Sequence, residues 1–343
     1  IDKTKNTPKK VVTPARLKNE TIYNVLNIEN IYWFLTSSGV FIYGFENEIF
    51  TFKEQLFKTE SITDVQVDFN KNYWFTTLDN GVFVSPNLNI RRVELSNLDS
   101  KITASVALQN NHFVLGTNDG KLLFYNHNQL IKTLQLPGKK IIGKLFFDAQ
   151  SDKLIVSINA SESFVVNLKN DKILDVNNRF SVAKTFSKID NNTLFYGNYR
   201  QGIVYKNPFN HPEQQILKES RVKASVVSNN HLFVSHIDGL YKYNTKTFNA
   251  EEITFNSKSL LVNTLTKTNG TVWVATQHNG LLKYENNTLK PSGINLPENL
   301  QINAIHADGL VLWISTDVGL FQYHTKTHQL KSLSAQDGLN TAV

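Results

Sequence analysis

Short apolar runs alternate with polar residues along most of the chain, and clusters of Asn, Asp, Gly and Ser interrupt them at short intervals. The stretch Ile302-Asn303-Ala304-Ile305-His306-Ala307-Asp308 is followed by Leu312-Trp313-Ile314-Ser315-Thr316, by Gly319-Leu320-Phe321-Gln322-Tyr323 and by Gln329-Leu330-Lys331-Ser332-Leu333. Each piece has the length and alternation of a strand, and the four together form one unit. The unit recurs upstream. Its opening aliphatic falls at Ile22, Ile62, Ile102, Ile142, Val182, Val222, Val262 and Ile302, a period of about 40 residues. A second marker lies in the next strand, at Trp33, Trp74, Phe113, Leu154, Phe195, Phe233, Trp273 and Trp313. A third is a glycine opening the third strand, at Gly39, Gly81, Gly120, Gly202, Gly239, Gly280 and Gly319, with Ser161-Glu162 replacing it in the fourth unit.

A four-stranded antiparallel sheet has two faces to bury and cannot bury both alone; stacking sheets face to face gives each a partner. The pattern therefore predicts an all-β fold, a β-propeller of eight four-stranded blades. Eight units close one eight-bladed ring, or seven close a ring and the eighth belongs to another. Residues 1–20 read as a polar N-terminal arm or linker with room for a short strand at Val11-Val12, and residues 21–343 as the propeller. No segment shows the period of an amphipathic helix. The recurrent tryptophans are expected to pack between blades, as are Tyr43, Phe124, Tyr243, Tyr284 and Tyr323 in the third strands.

Composition changes this picture little. The chain has no cysteine, which excludes disulfides and thiolate metal sites, and no methionine, so it reads as a processed product or an excised piece. No apolar run approaches the length of a membrane span. The net charge is +7. The lysines are scattered, Lys9-Lys10 and Lys139-Lys140 being only pairs, and no basic stripe carries interleaved stacking aromatics; a nucleic-acid partner is not expected.

Candidate chemistry is sparse. Among the histidines are His231, His236, His278, His306, His324 and His328, and none forms a helical metal-binding pair. Gly116-Thr117-Asn118-Asp119-Gly120 lies between strands and reads as a turn, without the following helix a phosphate cradle needs. Asp64 lies in a first strand, whereas Asp68, Asp148 and Asp308 close first strands, where a carboxylate accepts backbone N–H bonds. No catalytic, cofactor or metal residues emerge, and no ligand-contacting residue can be named.

The units built on Trp273-Val274-Ala275-Thr276 with Gly280-Leu281-Leu282-Lys283-Tyr284, and on Trp313-Ile314-Ser315-Thr316 with Gly319 to Tyr323, resemble the bacterial two-component regulator propeller repeats. Trp74-Phe75-Thr76-Thr77 with Gly81-Val82-Phe83, and Phe113 to Thr117 with Gly120, carry the same pattern more weakly. Asp337-Gly338-Leu339-Asn340 resembles the family's link into a further repeat. The resemblance implies the periplasmic or extracellular sensing part of a membrane-anchored bacterial regulator, with no catalytic residues of its own. It also implies an oligosaccharide or other small ligand, further propeller and signalling modules, and a homodimer as transmitting unit. A protein-interaction scaffold and a propeller lyase or hydrolase are the alternative readings.

Overall fold

The computed structural model describes residues 13–28, 31–69, 72–85, 88, 99–127, 129–333 and 339. Val11-Val12, and Asp337, Gly338 and Asn340, lie outside them. The described residues form eight antiparallel sheets, each a meander whose strands pair in sequence order. Six sheets have four strands; the second has three described strands, Ile62–Val67, Tyr73–Thr77 and Val82–Ser85, and the sixth gains a fifth, Lys258–Ser259. The stretch after the third strand of the second sheet lies largely outside the described residues, and among the described residues only the sixth sheet exceeds the expected four strands. Contacts divide the chain into two compact units, Ile1–Arg92 with the first and second sheets and Val93–Val343 with the third to eighth.

Seven first strands begin on the expected aliphatic, at Ile22, Ile62, Ile102, Ile142, Val222, Val262 and Ile302. In each of the seven the register shifts between that residue and the one two places on, a β-bulge. A bulge inserts one unpaired residue and sharpens the local twist, which turns the strand at its start. The fifth sheet departs from this. Its first strand begins at Thr185 and pairs without a bulge. Val182, the expected opening residue, sits before the strand at φ 54°, and its N–H donates to Ile158 O at 3.0 Å. Phe180 and Ala183 fill the core there instead.

Within each unit, apolar clusters couple each sheet to its neighbour along the chain. In the first unit one cluster joins the first and second sheets through Trp33, Leu35, Ile62 and Phe75. In the second unit successive clusters join the third to fourth, fourth to fifth, fifth to sixth, sixth to seventh and seventh to eighth sheets. This is how stacked sheets bury both faces. Trp33, Phe195, Phe233 and Trp273 are buried in these seams, as the repetition predicts. Register corrects two of the eight marker positions. The residue opposite the fourth place after the opening aliphatic is Trp33, Trp74, Phe233, Trp273 or Trp313 in five sheets. In the third and fourth sheets it is Val114 and Ile155, not Phe113 and Leu154. Phe113 lies one residue off that place and stacks on Tyr125 at 5.0 Å. Two tryptophans do not fill a core: Trp74 is 43% exposed and Trp313 is half-buried.

The third-strand aromatics Tyr43, Phe124, Tyr243, Tyr284 and Tyr323 are all buried. Tyr43 belongs to a separate cluster in which Leu17, on the short 3-10 turn Ala15–Leu17, covers Phe34 and Phe41 on the face of the first sheet away from the second. The hairpins between second and third strands share one device. Thr36, Thr77, Thr276 and Thr316 each donate Oγ1–H to the carbonyl of Gly39, Gly81, Gly280 or Gly319 at 2.8–3.0 Å, and each hydroxyl accepts a backbone N–H from within the loop. The side chain thereby satisfies backbone groups that the turn frees from the ladder.

Candidate ligand-binding cleft

The up-and-down order of each sheet gathers three kinds of segment at one end: the starts of first strands, the hairpins between second and third strands, and the links between sheets. In the second unit the link between the seventh and eighth sheets runs from Pro291, the last residue of Thr288–Pro291, to Ile302. Pro291 has no N–H to extend the ladder. Ser292 N–H then donates to Leu281 O at 3.0 Å, and Ser292 Oγ accepts Ile294 N–H at 3.2 Å. Gly293 and Asn299 take left-handed conformations, at φ 76° and 61°. Ile294, Leu296 and Leu300 pack against the cluster of Trp273, Ile305 and Phe321. Gln301 N–H donates to Asp317 Oδ1 at 3.2 Å and so secures the far end. Three aliphatic side chains thus hold down a link that is otherwise irregular.

Between this link and the hairpin around Gln277, His278 and Gly280 lies an open cleft of about 940 Å³. Asn263, the bulge residue of its strand, lines the floor and donates Nδ2–H to Ile302 O at 3.1 Å. Gln277, His278 and Asn299 are exposed, and their side chains engage no described protein group. The lining holds no carboxylate, ammonium or guanidinium. Its polar side chains are neutral amides, the Ser292 hydroxyl and one imidazole, set beside half-buried Ile294 and Leu296. Such a wall hydrogen-bonds a neutral polar ligand and covers its less polar face. It offers no pair of titratable groups for acid–base work. The sequence placed no ligand residue here; the signal available was the length of the link and its Pro291-Ser292-Gly293 and Pro297 breaks.

The residues singled out for chemistry do not converge. Asp68 accepts Asn72 N–H at 2.9 Å and Trp74 Nε1–H at 3.1 Å, so the expected backbone role holds and an indole is added to it. Asp148 is buried and keeps the expected turn role, accepting a backbone hydrogen bond from Ser151 as well as bonds from Ser151 Oγ–H and Lys188. Burial alone would raise its carboxyl pKa, but those donors outweigh it and hold the group below the usual range. Asp64 accepts Gln66 Nε2–H at 3.1 Å, and Asp308 is exposed. His236 is buried and His328 Nδ1 lies 2.7 Å from Tyr323 Oη. His231 Nδ1 lies 2.9 Å from Asn229 O, and His306 is exposed on its strand. His324 Nδ1 accepts Thr327 N–H at 3.1 Å. Among the described residues no three His, Cys, Asp or Glu side chains form a metal-binding group. No helix among them is long and apolar enough to cross a membrane. Gly116 to Gly120 is a turn in which Thr117 Oγ1–H donates to Asp119 at 2.6 Å, and the hydrogen bond from Lys121 leads those that hold the Asp119 carboxyl well below the carboxylate range.

Residues 86–287 match the Pep3/Vps18/deep orange β-propeller domain family, and the chain belongs to that family. No curated protein matches it. Among solved structures it is similar to the extracellular domain assigned to a hybrid two-component system of B. thetaiotaomicron, at 16% identity and a TM-score of 0.55. The alignment covers 93% of this chain and 47% of that one. It is similar at 13% identity and TM-score 0.54 to the extracellular domain assigned to a one-component system of the same organism, covering 92% of this chain and 49% of that one. A Myceliophteria thermophila Cps50 (Swd1) β-propeller domain aligns at 14% identity and TM-score 0.55, over 68% of this chain and 86% of its own length. These likenesses establish the propeller fold. The chain spans about half the length of the two B. thetaiotaomicron domains.

Proposed function

We propose that this chain is an extracytoplasmic ligand-sensing propeller of a bacterial two-component regulator, a member of the regulator propeller repeats, and that an oligosaccharide occupies the cleft between the hairpin at Gln277 and the link from Pro291 to Ile302. The observation that carries the reading is the lining itself: neutral amides, of which Gln277 and Asn299 have no described protein partner, beside half-buried aliphatics, with no charged group to select an ion. The likeness in fold to extracellular domains of bacterial regulators supports it, and the half-length coverage fits a sensor with a further propeller and signalling modules. The eight sheets then act as blades of one sensor. The cleft spans the seventh and eighth sheets, so a ligand holding both would favour one packing of that seam over another. The differential contact is what a binding event can pass to a dimeric receptor. The chain itself performs no chemistry in this reading.

Titration calorimetry against a panel of neutral oligosaccharides tests the proposal, with Gln277→Ala and Asn299→Ala as cleft variants. Binding that weakens in both variants is the expected result; no heat from any glycan overturns it. A scaffold role is the second reading, favoured by one face of the second sheet, where Trp74, Val82 and Val84 are 43%, 53% and 47% exposed. A signalling reporter separates the two: the sensor reading expects Asn299→Ala to silence it, and the scaffold reading expects Trp74→Ser to do so.

A further inference from the structure

Cations that are far apart in the sequence meet the same end of neighbouring sheets in the second unit. The first strands of the third to sixth sheets begin at Ile102, Ile142, Thr185 and Val222. Lys101, Lys144, Lys184, Arg221 and Lys223 stand at those starts, roughly one repeat apart from sheet to sheet. Four of the five are exposed and Lys223 is half-buried. Among the described residues none has a carboxylate partner. No carboxylate stands at the four strand starts themselves. On the adjoining hairpins the acids are already matched: Asp119 by Lys121 at 2.8 Å, Glu162 by Lys140 and Asp238 by Lys218 at 2.7 Å. Asp99 and Glu219 lie on the links, and Asp175 ends the fourth strand of the fourth sheet.

Hydroxyls lie among these cations. Thr185 and Ser187 on one first strand both meet Ser225 on the next, at 2.8 and 2.7 Å. The hairpin of the fifth sheet adds Tyr199, 46% exposed, with the Arg200 guanidinium 5.4 Å over its ring. One open ring beside a cationic arc suits a sugar ring bearing anionic groups. A nucleic acid strand would be met by several stacking rings in series.

We propose that the strand-start end of the third to sixth sheets binds an acidic oligosaccharide, one carrying sulfate or carboxylate groups along its chain. The site is distinct from the neutral cleft and does not depend on it. Uncompensated cations of one sign raise the local concentration of such a ligand and bind it in a salt-dependent manner. Lys144 is the most responsive of them. It is open to solvent, yet the surrounding protein desolvates its amine and holds its pKa below the ordinary lysine value, so an anion placed beside it favours the charged form.

The test is calorimetric titration of the full chain with a heparin-derived hexasaccharide, with maltohexaose and an oligothymidylate of matched charge as comparison ligands. The heparin hexasaccharide is expected to bind, more weakly as salt rises, and maltohexaose not to compete for the site. The triple variant Lys144→Gln, Lys184→Gln, Lys223→Gln loses affinity by about tenfold or more, whereas Lys169→Gln with Lys246→Gln, at the opposite end, changes it by less than about twofold. All variants keep the parent melting temperature, since none of these residues is buried. Oligothymidylate binding as tightly as the sulfated sugar, no binding of that sugar, or full affinity in the triple variant overturns the proposal. Gln277→Ala and Asn299→Ala leave this titration unchanged, so failure of the cleft reading and failure of this one are told apart.

Discussion

Trp273 donates its indole N–H to the hydroxyl of Thr268 across 2.8 Å, inside the sheet that both occupy. Thr268 closes its first strand, in the place held by Asp68 in the second sheet, which takes the Trp74 N–H at 3.1 Å. In the first sheet the same place holds Ile28, and the buried Trp33 N–H meets no acceptor. A buried donor left unpaired costs about 1–3 kcal/mol. Thr268→Val is therefore expected to destabilise by about that amount. Ile28→Thr should leave stability level or raise it by about 0.5 kcal/mol, because a gained hydrogen bond offsets the lost half-buried methyl groups. Guanidinium unfolding of both variants checks the pair; a loss above about 1 kcal/mol in Ile28→Thr would contradict the assignment.

The turn glycines differ in what they exclude. Gly39 has φ 102°, and a Cβ there would lie 2.1 Å from Leu56 O and 2.6 Å from Phe57 O. Gly280 has φ 64° with no atom within 4 Å of a Cβ. Gly280→Ala is expected to cost about 1 kcal/mol through backbone strain alone. Gly39→Ala adds collision with two carbonyls that cannot move without opening the ladder, and should cost at least about 3 kcal/mol. Comparable melting temperatures for the two variants would show that the close approach is not a constraint.

Much of this architecture is visible in the residues themselves. Trp33, Trp273 and the glycines set the period because a seam between sheets needs a large apolar residue at one register and the hairpin needs φ above zero at another. Phe113 and Leu154 mislead because alternation puts neighbours on opposite faces, and only pairing to Thr117 and Ile158 shows that Val114 and Ile155 take the place of Trp33. Val182 misleads because spacing alone cannot reveal that the fifth sheet lacks the bulge that its companions have. Neither the cleft nor the cationic arc is a local motif. Gln277 and Asn299 face one cleft through a link, and Lys101, Lys144, Lys184 and Lys223 are single charges until stacking brings their strand starts to one end.

Asp148 and Lys188 offer an asymmetric pair. The Asp148 side chain is 6% exposed and that of Lys188 30%, and Ser151 Oγ–H donates to the carboxylate at 2.5 Å. Lys188→Met removes the counter-charge from a buried carboxylate and is expected to cost about 2 kcal/mol, below the full buried value because water reaches the lysine. Asp148→Asn frees a lysine that can turn to solvent, and should cost about 1 kcal/mol. The carboxyl pKa is depressed in the fold, so its contribution is present above the unfolded value of about 3.9 and is lost as pH falls through the folded value. Urea unfolding from neutral pH downward measures both; the differences from the parent should shrink as pH falls through the folded value.

His236 stands where five other sheets place a hairpin threonine, and it supplies a titrating imidazole in place of that hydroxyl. It is buried beside Tyr241 and Tyr243, with Nδ1 3.2 Å from Ser220 O and Nε2 3.4 Å from Tyr243 Oη. The carbonyl requires a proton on Nδ1, so in the neutral ring Nε2 accepts from the tyrosine. Burial lowers its pKa most; the Ser220 carbonyl opposes this, nearby Lys218 adds to the lowering and Asp238 opposes it. A folded pKa below the unfolded value of about 6.5 means that the unfolded chain takes up the proton first. The contribution is intact above pH about 6.5 and is lost as pH falls towards the folded value. His236→Thr removes this titration and restores the hydroxyl turn seen at Thr276. Its melting temperature is expected to fall less than that of the parent between pH about 7.5 and pH about 5. Equal acid slopes in the two proteins would show that His236 is not the group responsible.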